Sequence, residues 1–322
     1  MITYHQLRTF LAVSRTASIT KAARELNATQ PTVSLQLSAL RKFLGTPLFD
    51  RSGGRFRLTP AGEMLRHYAE EALGGLRVLQ QNVETLKGSF AGPLAVGAPF
   101  VMSRHVLPAV FSRFLQQFPA VDLQLHVDFP EQLFTGVLAN TLDLACYVDV
   151  PAPRGITVEP IGKDELIVIA SPDHALSGRR RVTAEQLNAQ PFVAAGSALF
   201  REVVEAKLRD VGITPQLAAE ARHQEASKRL VERNMGYSIV MRSAVADELA
   251  SGRLVTLDRV GPPMHVEFVI GFRSRPVISP LVREFIRFAR AELAAREHGT
   301  EQELDRPTPG IRSKRRQRIS TR

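Results

Sequence analysis

The chain of 322 residues holds one cysteine, Cys146, and no tryptophan. A lone thiol closes no intrachain disulfide and builds no cysteine zinc centre, so a disulfide-stapled secreted fold is not expected. No apolar stretch approaches the roughly 18–20 residues of a membrane-spanning helix. Arg8 and Arg15 interrupt the apolar pattern at the amino end, where a signal peptide would keep an unbroken core. A soluble, cytoplasmic protein without a membrane partner is expected. Signatures of catalysis are missing too. There is no Gly-Lys-Ser/Thr phosphate loop and no Gly-x-Ser-x-Gly elbow. The eight histidines are scattered without metal spacing. Cys146 sits mid-strand among apolar neighbours, the setting of an inert thiol. The carboxylate pairs Glu70-Glu71 and Asp164-Glu165 read as solvent-facing. No enzyme, metal or cofactor is expected.

What is present is a globular composition, 44 % hydrophobic and 23 % charged, in a chain long enough for two or three domains. The net charge of +10 is segregated: nine Lys/Arg against two Asp/Glu over 1–60, seven against one over 305–322, and 26 against 29 between them. Basic ends around a slightly acidic body imply a polyanion partner for the ends and a separate task for the body.

Residues 4–14 place Leu7, Phe10, Leu11 and Ser14 on one helical side. Ser18 caps a second helix in which Ala22, Ala23 and Leu26 share a face. After the break Asn27-Ala28-Thr29, Thr29 caps a third helix, with Pro31 in its first turn, where a missing N–H costs nothing. Val33, Leu37, Leu40 and Leu44 form its apolar stripe, and Gly45 ends it. The opposite face carries Pro31, Ser34, Leu35, Ser38 and Lys42, flanked by Gln30 and Thr32. It is small, polar and free of carboxylates, as a helix lying in a major groove must be. This is a helix-turn-helix pattern with the third helix as reader. Two β-prone runs around Ser52-Gly53-Gly54 then predict a hairpin bearing Arg51, Arg55 and Arg57, a wing for DNA backbone or minor groove. A helical bundle with a charged surface is the blander alternative.

Thr59-Pro60-Ala61-Gly62-Glu63 opens a long helix in which Leu65, Tyr68, Ala72, Leu76, Leu79, Val83 and Leu86 recur close to a heptad. Gly74 and Gly75 weaken it by about 1 kcal/mol each. The seam suits a second chain, because two reader helices related by a two-fold read a near-palindrome. It equally suits packing on its own domain.

Phe10-Leu11-Ala12-Val13, Ser18 to Leu26, Thr29 to Leu37, Leu44-Gly45, Leu48-Phe49-Asp50-Arg51 and Leu58 to Gly62 together resemble the start of the LysR-type transcriptional regulators. Two positions depart from the family pattern: Arg41 stands where Glu is usual, and Leu35 where Arg is common. The resemblance implies α + α/β architecture: a winged helix-turn-helix over 1–60, a dimerising linker helix over 61–91 and a two-lobed α/β, periplasmic-binding-protein-like effector domain over 92–297. It also implies promoter duplex DNA and a small-molecule effector as partners, with a homodimer building a homotetramer.

The body agrees with that expectation. β-prone runs at Leu94–Ala98, Val121–Val127, Leu142–Val148, Ile156–Ile161 and Glu165–Ala170 alternate with helices over Arg104–Phe118 and 131–139. In Val121–Val127 the residues Val121, Leu123, Leu125 and Val127 alternate as an inward set. A second unit has strands at Phe192–Ala195, Gln216–Ala221, Ser238–Met241 and Leu254–Leu257 and helices over 199–210 and 224–233. A returning strand, His265–Phe272, and a final helix with Leu281, Val282, Phe285, Ile286, Phe288 and Ala289 inward complete it. Such grammar predicts a mostly parallel sheet, with lobe one at about 93–163 plus 266–297 and lobe two at about 164–265.

A ligand is expected where strand ends meet helix starts. Met102, Ser103, Ser197 and Arg201 fall at such junctions, though plain capping and a surface ion pair would also account for the serines and the arginine. Where the family usually offers a Ser or Thr after the second strand, this chain has Phe129-Pro130-Glu131, which removes a hydroxyl. Residues 298–322 lack apolar periodicity and read as a disordered basic tail. It is either a solvated arm or an arm that adds sequence-blind DNA affinity.

Overall fold

The computed structural model describes residues 1–50, 56–86, 90–258, 261–274 and 278–304. Arg51 and Arg55 of the expected wing, and tail residues 305–322, lie outside the described residues. The head comprises α1 (Tyr4–Thr16), α2 (Ile19–Glu25), α3 (Gln30–Leu44) and an antiparallel hairpin of β1 (Phe49–Asp50) and β2 (Arg57–Leu58). A hydroxyl fixes each helix start: Thr3, Ser18 and Thr29 accept from the backbone N–H of Gln6, Lys21 and Thr32. Phe10, Val13, Ala22, Ala23, Val33, Leu37, Leu40 and Leu48 share one core. Leu44, expected in the apolar stripe, is exposed, because the core's share of α3 ends a turn earlier at Leu40.

The long helix α4 (Pro60–Leu86) is anchored to the head by Thr59. Its Oγ1 donates to the Pro47 carbonyl at 2.7 Å and accepts from Gly62 N at 3.0 Å. A Cβ on Gly62 would stand 2.1 Å from the Leu48 carbonyl oxygen, so only glycine lets α4 close on the head. Leu65 joins the head core, whereas Tyr68, Leu76, Leu79 and Val83 stay exposed. Glu70 and Glu71 of this helix are paired, contrary to the expectation that they face solvent. Glu70 is buried against Arg66 at 3.0 Å, and Glu71 pairs with Arg273 at 2.6 Å. Asp164 and Glu165 are likewise half-buried; Asp164 accepts from Ser243 N and Glu165 pairs with Arg242.

Lobe one contains β3 (Gly92–Ala98), α5 (Phe100–His105), α6 (Leu107–Gln117), β4 (Val121–Val127), α7 (Pro130–Leu138) and β5 (Leu144–Val148). The chain then crosses on β6 (Ile156–Ala170) into lobe two. There it forms α8 (Ala184–Asn188), β7 (Pro191–Ala195), α9 (Ala198–Asp210), β8 (Gln216–Ala221), α10 (Gln224–Glu232), β9 (Ser238–Met241), α11 (Ala246–Ala250) and β10 (Val255–Thr256). It returns on β11 (Met264–Arg273) and ends in α12 (Pro280–Leu304).

Several expectations are corrected. The two runs at Ile156–Ile161 and Glu165–Ala170 are one strand, β6, kept extended across the lobes by β11, which pairs antiparallel with it from Ile156 to Leu166. The main sheet is therefore mixed: β3 runs parallel to β4 and β5, while the crossing strands are antiparallel; β7 and β8 pair parallel in a separate two-stranded sheet. The helix expected over Arg104–Phe118 starts earlier and is broken at Val106, because Pro108 has no N–H with which to continue a single helix. In the edge strand β4, Leu125 and Val127 are exposed, since its far end leaves the covered part of the sheet and walls the cleft. α12 stays helical past residue 297, as far as Leu304.

Candidate functional site

Two regions carry the chemistry, and the first is the open face of α3. Gln30, Pro31, Thr32, Ser34, Leu35, Ser38 and Lys42 are all exposed there, as are Thr29 before it and Arg57 on the hairpin. The hydroxyls of Thr29 and Thr32 lie 2.8 Å apart, which ties the helix start together. Gln36 is turned away and bonded to Thr9 of α1, so it is not available to a groove. Ser34, Ser38 and Arg41 border a notch completed by Phe49 and Phe56 of the hairpin. No carboxylate lies on α3.

The second region is a cavity of about 170 Å³ between the lobes. Lobe one contributes Phe100, Met102, Val127, Asp128, Phe129, Val148 and Val150; lobe two contributes Ser197, Phe200, Arg222, His223, Gln224 and Glu225. Of the expected ligand residues, Met102, Phe129 and Ser197 line it, while Ser103 and Arg201 do not. Ser103 misses because α5 begins at Phe100, which puts Ser103 inside the helix, where its hydroxyl donates back to the Phe100 carbonyl at 2.8 Å. Arg201 is taken by Glu220 at 2.5 Å within lobe two. Ser197 caps α9 by accepting from Phe200 N at 3.3 Å.

The start of α10 falls where the sequence places a helix but is not among the expected ligand positions, although the rule that picks out Ser197 applies equally to the junction of β8 and α10. Arg222 lies over the Phe129 ring at 4.4 Å, and His223 faces the same ring with centroids 5.2 Å apart. His223 gives α10 no side-chain cap, which leaves the first-turn amides without one. Glu225 receives His105 from lobe one at 3.0 Å and Lys228 at 2.7 Å. Burial alone would raise this carboxyl, but the hydrogen bonds from Lys228 and His105 outweigh it and hold the group below its usual range. The lobes thus touch across the cleft through an aromatic–cation contact and the His105–Glu225 hydrogen bond.

Residues 4–63 match the family described as "Bacterial regulatory helix-turn-helix protein, lysR family", and residues 87–294 match "LysR substrate binding domain". The chain belongs to the LysR family of transcriptional regulators. It is a DNA-binding regulator and not an enzyme, with an effector-binding domain behind its head. The "RuBisCO operon transcriptional regulator" of Allochromatium vinosum is 34 % identical over 301 residues, 92 % of this chain and 98 % of the relative. The "HTH-type transcriptional activator CmpR" of Synechocystis is 30 % identical over 89 % of this chain and 94 % of its own. Among solved structures, the LysR-family regulator CbnR in complex with its target DNA has a TM-score of 0.65 at 22 % identity, covering 90 % of this chain and 99 % of that one. The regulatory domain of Synechocystis CcmR in complex with 2-PG has a TM-score of 0.56 at 22 % identity, covering 63 % and 97 %. These LysR-family likenesses span both regions, the α3 face and the cleft. Among the described residues no helix is long and apolar enough to cross a membrane, and no His, Cys, Asp or Glu group could hold a metal ion.

Proposed function

We propose that this regulator acts in the cytoplasm as a homodimer that assembles further into a tetramer. The α3 faces of two chains read the half-sites of a promoter operator, and a small anionic effector in the cleft resets their spacing. The observation that carries this reading is the cleft itself. The starts of α9 and α10 and the Arg222 guanidinium meet on one cavity whose other walls are mostly apolar, with Asp128 and Glu225, the latter held by Lys228 and His105, at its edge. Helix starts and an arginine favour a negative group, while Val127, Val148, Val150 and Phe129 suit an apolar body. Arg57 and the hairpin lie beside α3 to grip the backbone.

CcmR's complex with 2-PG makes 2-PG the first ligand to assay, and the relatives' names make a RuBisCO operon the first promoter. The test is calorimetry of the full chain with 2-PG and simple aliphatic and aromatic carboxylates, paired with footprinting on DNA recovered by genomic pull-down. Binding that Arg222→Ala weakens at least tenfold, together with a footprint whose length changes on ligand addition, supports the reading. Binding indifferent to Arg222, or a footprint unaltered by every ligand that binds, overturns it.

A further inference from the structure

Leu35 is 72 % exposed in the middle of the α3 face. Nothing in the fold explains it. Leucine buries well, and the core of the head is completed without it by Val33, Leu37 and Leu40. Its neighbours at helical spacing are Pro31, Thr32 and Ser38, all exposed, and the half-buried Ala39, with the exposed Lys42 two turns along. The other large exposed apolar residues of α3, Phe43 and Leu44, lie at its far end, so no broad apolar patch surrounds Leu35 and the surface does not suit a protein partner, whose contact centre would be broadly apolar. A single branched alkyl group on a small, polar, cationic, carboxylate-free face suits a polar groove that holds isolated methyl groups. The major groove of DNA is such a surface, and its one apolar feature is the 5-methyl of thymine.

We propose that Leu35 reads thymine: its side chain packs on the 5-methyl group of one thymine in each operator half-site. This rests on α3 lying in the major groove. Ser34 and Ser38 flank the contact with hydroxyls short enough to let the helix approach, and Lys42, two turns along the same face, offers a cation for the phosphates. Burying one methyl group corresponds to a factor of about four in affinity. With two half-sites, removing both methyls multiplies the effect to about fifteenfold.

The experiment uses the full-length chain and an operator enriched from random duplexes, read by fluorescence anisotropy at fixed salt. Each thymine is replaced in turn by uracil, which deletes only the methyl. The expected result is one symmetric thymine position at which uracil weakens binding about fourfold per half-site. Leu35→Ala should bind the thymine operator correspondingly less well and lose that uracil penalty. At the same position 5-methylcytosine should be preferred to cytosine by the wild type and not by Leu35→Ala, which separates the methyl from the rest of the base. Leu35 is exposed, so the variant should keep its elution volume and its circular dichroism. A uracil penalty unchanged in Leu35→Ala, or no thymine sensitive to uracil, overturns the assignment. Gln30→Ala and Ser34→Ala identify which idea has failed. If they alter the enriched motif, α3 reads DNA and only the role of Leu35 is wrong; if they leave it unchanged, α3 is not the reader.

Discussion

Lys228 is 1 % exposed, the most deeply buried charge among the described residues. Its Nζ donates to the Ala244 carbonyl at 2.7 Å and pairs with Glu225 at 2.7 Å and Glu248 at 3.1 Å. One ammonium thus holds two carboxylates from different elements, one of which walls the cleft. Removing it strands the partners, and breaking such a pair typically costs about 3–5 kcal/mol. Lys228→Met should therefore lower the urea midpoint of the full chain strongly, and adding Glu248→Gln should restore part of the loss, because the two share one interaction. A double variant as unstable as the two losses added would show that the pair is not coupled. None of this was legible in the sequence, where Lys228 is one polar residue of an amphipathic helix. Its burial depends on Glu248, which only the return of the chain through β9 brings near. The exposed polar face of α3 was legible, because a single helix carries it and its period of 3.6 residues sorts core from surface. The cleft was half legible for the opposite reason. Ser197 sits at a true helix start, but Ser103 does not, and one misplaced boundary moved a hydroxyl out of the site.

At the scale of elements, α7 runs from the cleft wall to the joint with α4. Its first residue follows Phe129 in the cleft wall, and its end leads to Asn140, which meets α4. Arg77 of α4 donates to the Asn140 carbonyl at 2.6 Å and pairs with Asp143 at 3.1 Å, and Asp143 in turn accepts from Ala95 N of β3. Gly74 makes this joint possible. A Cβ there would lie 2.4 Å from the Asn140 Cβ. Gly74→Ala gains about 1 kcal/mol of helix propensity but overpacks the joint, at a cost of about 1–3 kcal/mol. The net result should be a lower unfolding temperature. Asn140 has φ +56, a conformation that glycine adopts freely, so Gly74→Ala with Asn140→Gly should recover the loss. Thermal unfolding of wild type and the two variants checks this, and a Gly74→Ala chain more stable than wild type would refute the close approach. From the sequence, Gly74 and Gly75 look equally weakening. The structure separates them, because a Cβ on Gly75 meets nothing within 4 Å. The single strand β6 was hidden for a related reason. Gly162-Lys163-Asp164 reads as a break, and only its partner β11, a hundred residues on, keeps it extended.

On the scale of the whole molecule, the unresolved balance is the apolar surface of α4. Tyr68, Leu76, Leu79 and Val83 recur at near-heptad spacing and remain exposed beside a docked first lobe. Of the seam inferred from sequence, Leu65 is the residue that its own head buries. A helix that docks one side on its own lobe and keeps an apolar stripe on another has a face to offer to a second copy. If two chains pair there, both α3 faces bind one operator, and the second contact becomes intramolecular. Linking two sites in this way raises apparent affinity by about 10²–10⁴. Leu76→Asp with Leu79→Asp should therefore give a chain that keeps its secondary structure by circular dichroism but sediments as a monomer. It should bind a two-half-site operator no more tightly than one half-site, having lost an affinity factor in that range. A dimer surviving both aspartates would place the pairing surface elsewhere. A monomer retaining full operator affinity would mean that one head suffices, and the two-fold argument for how the cleft controls DNA would fall with it.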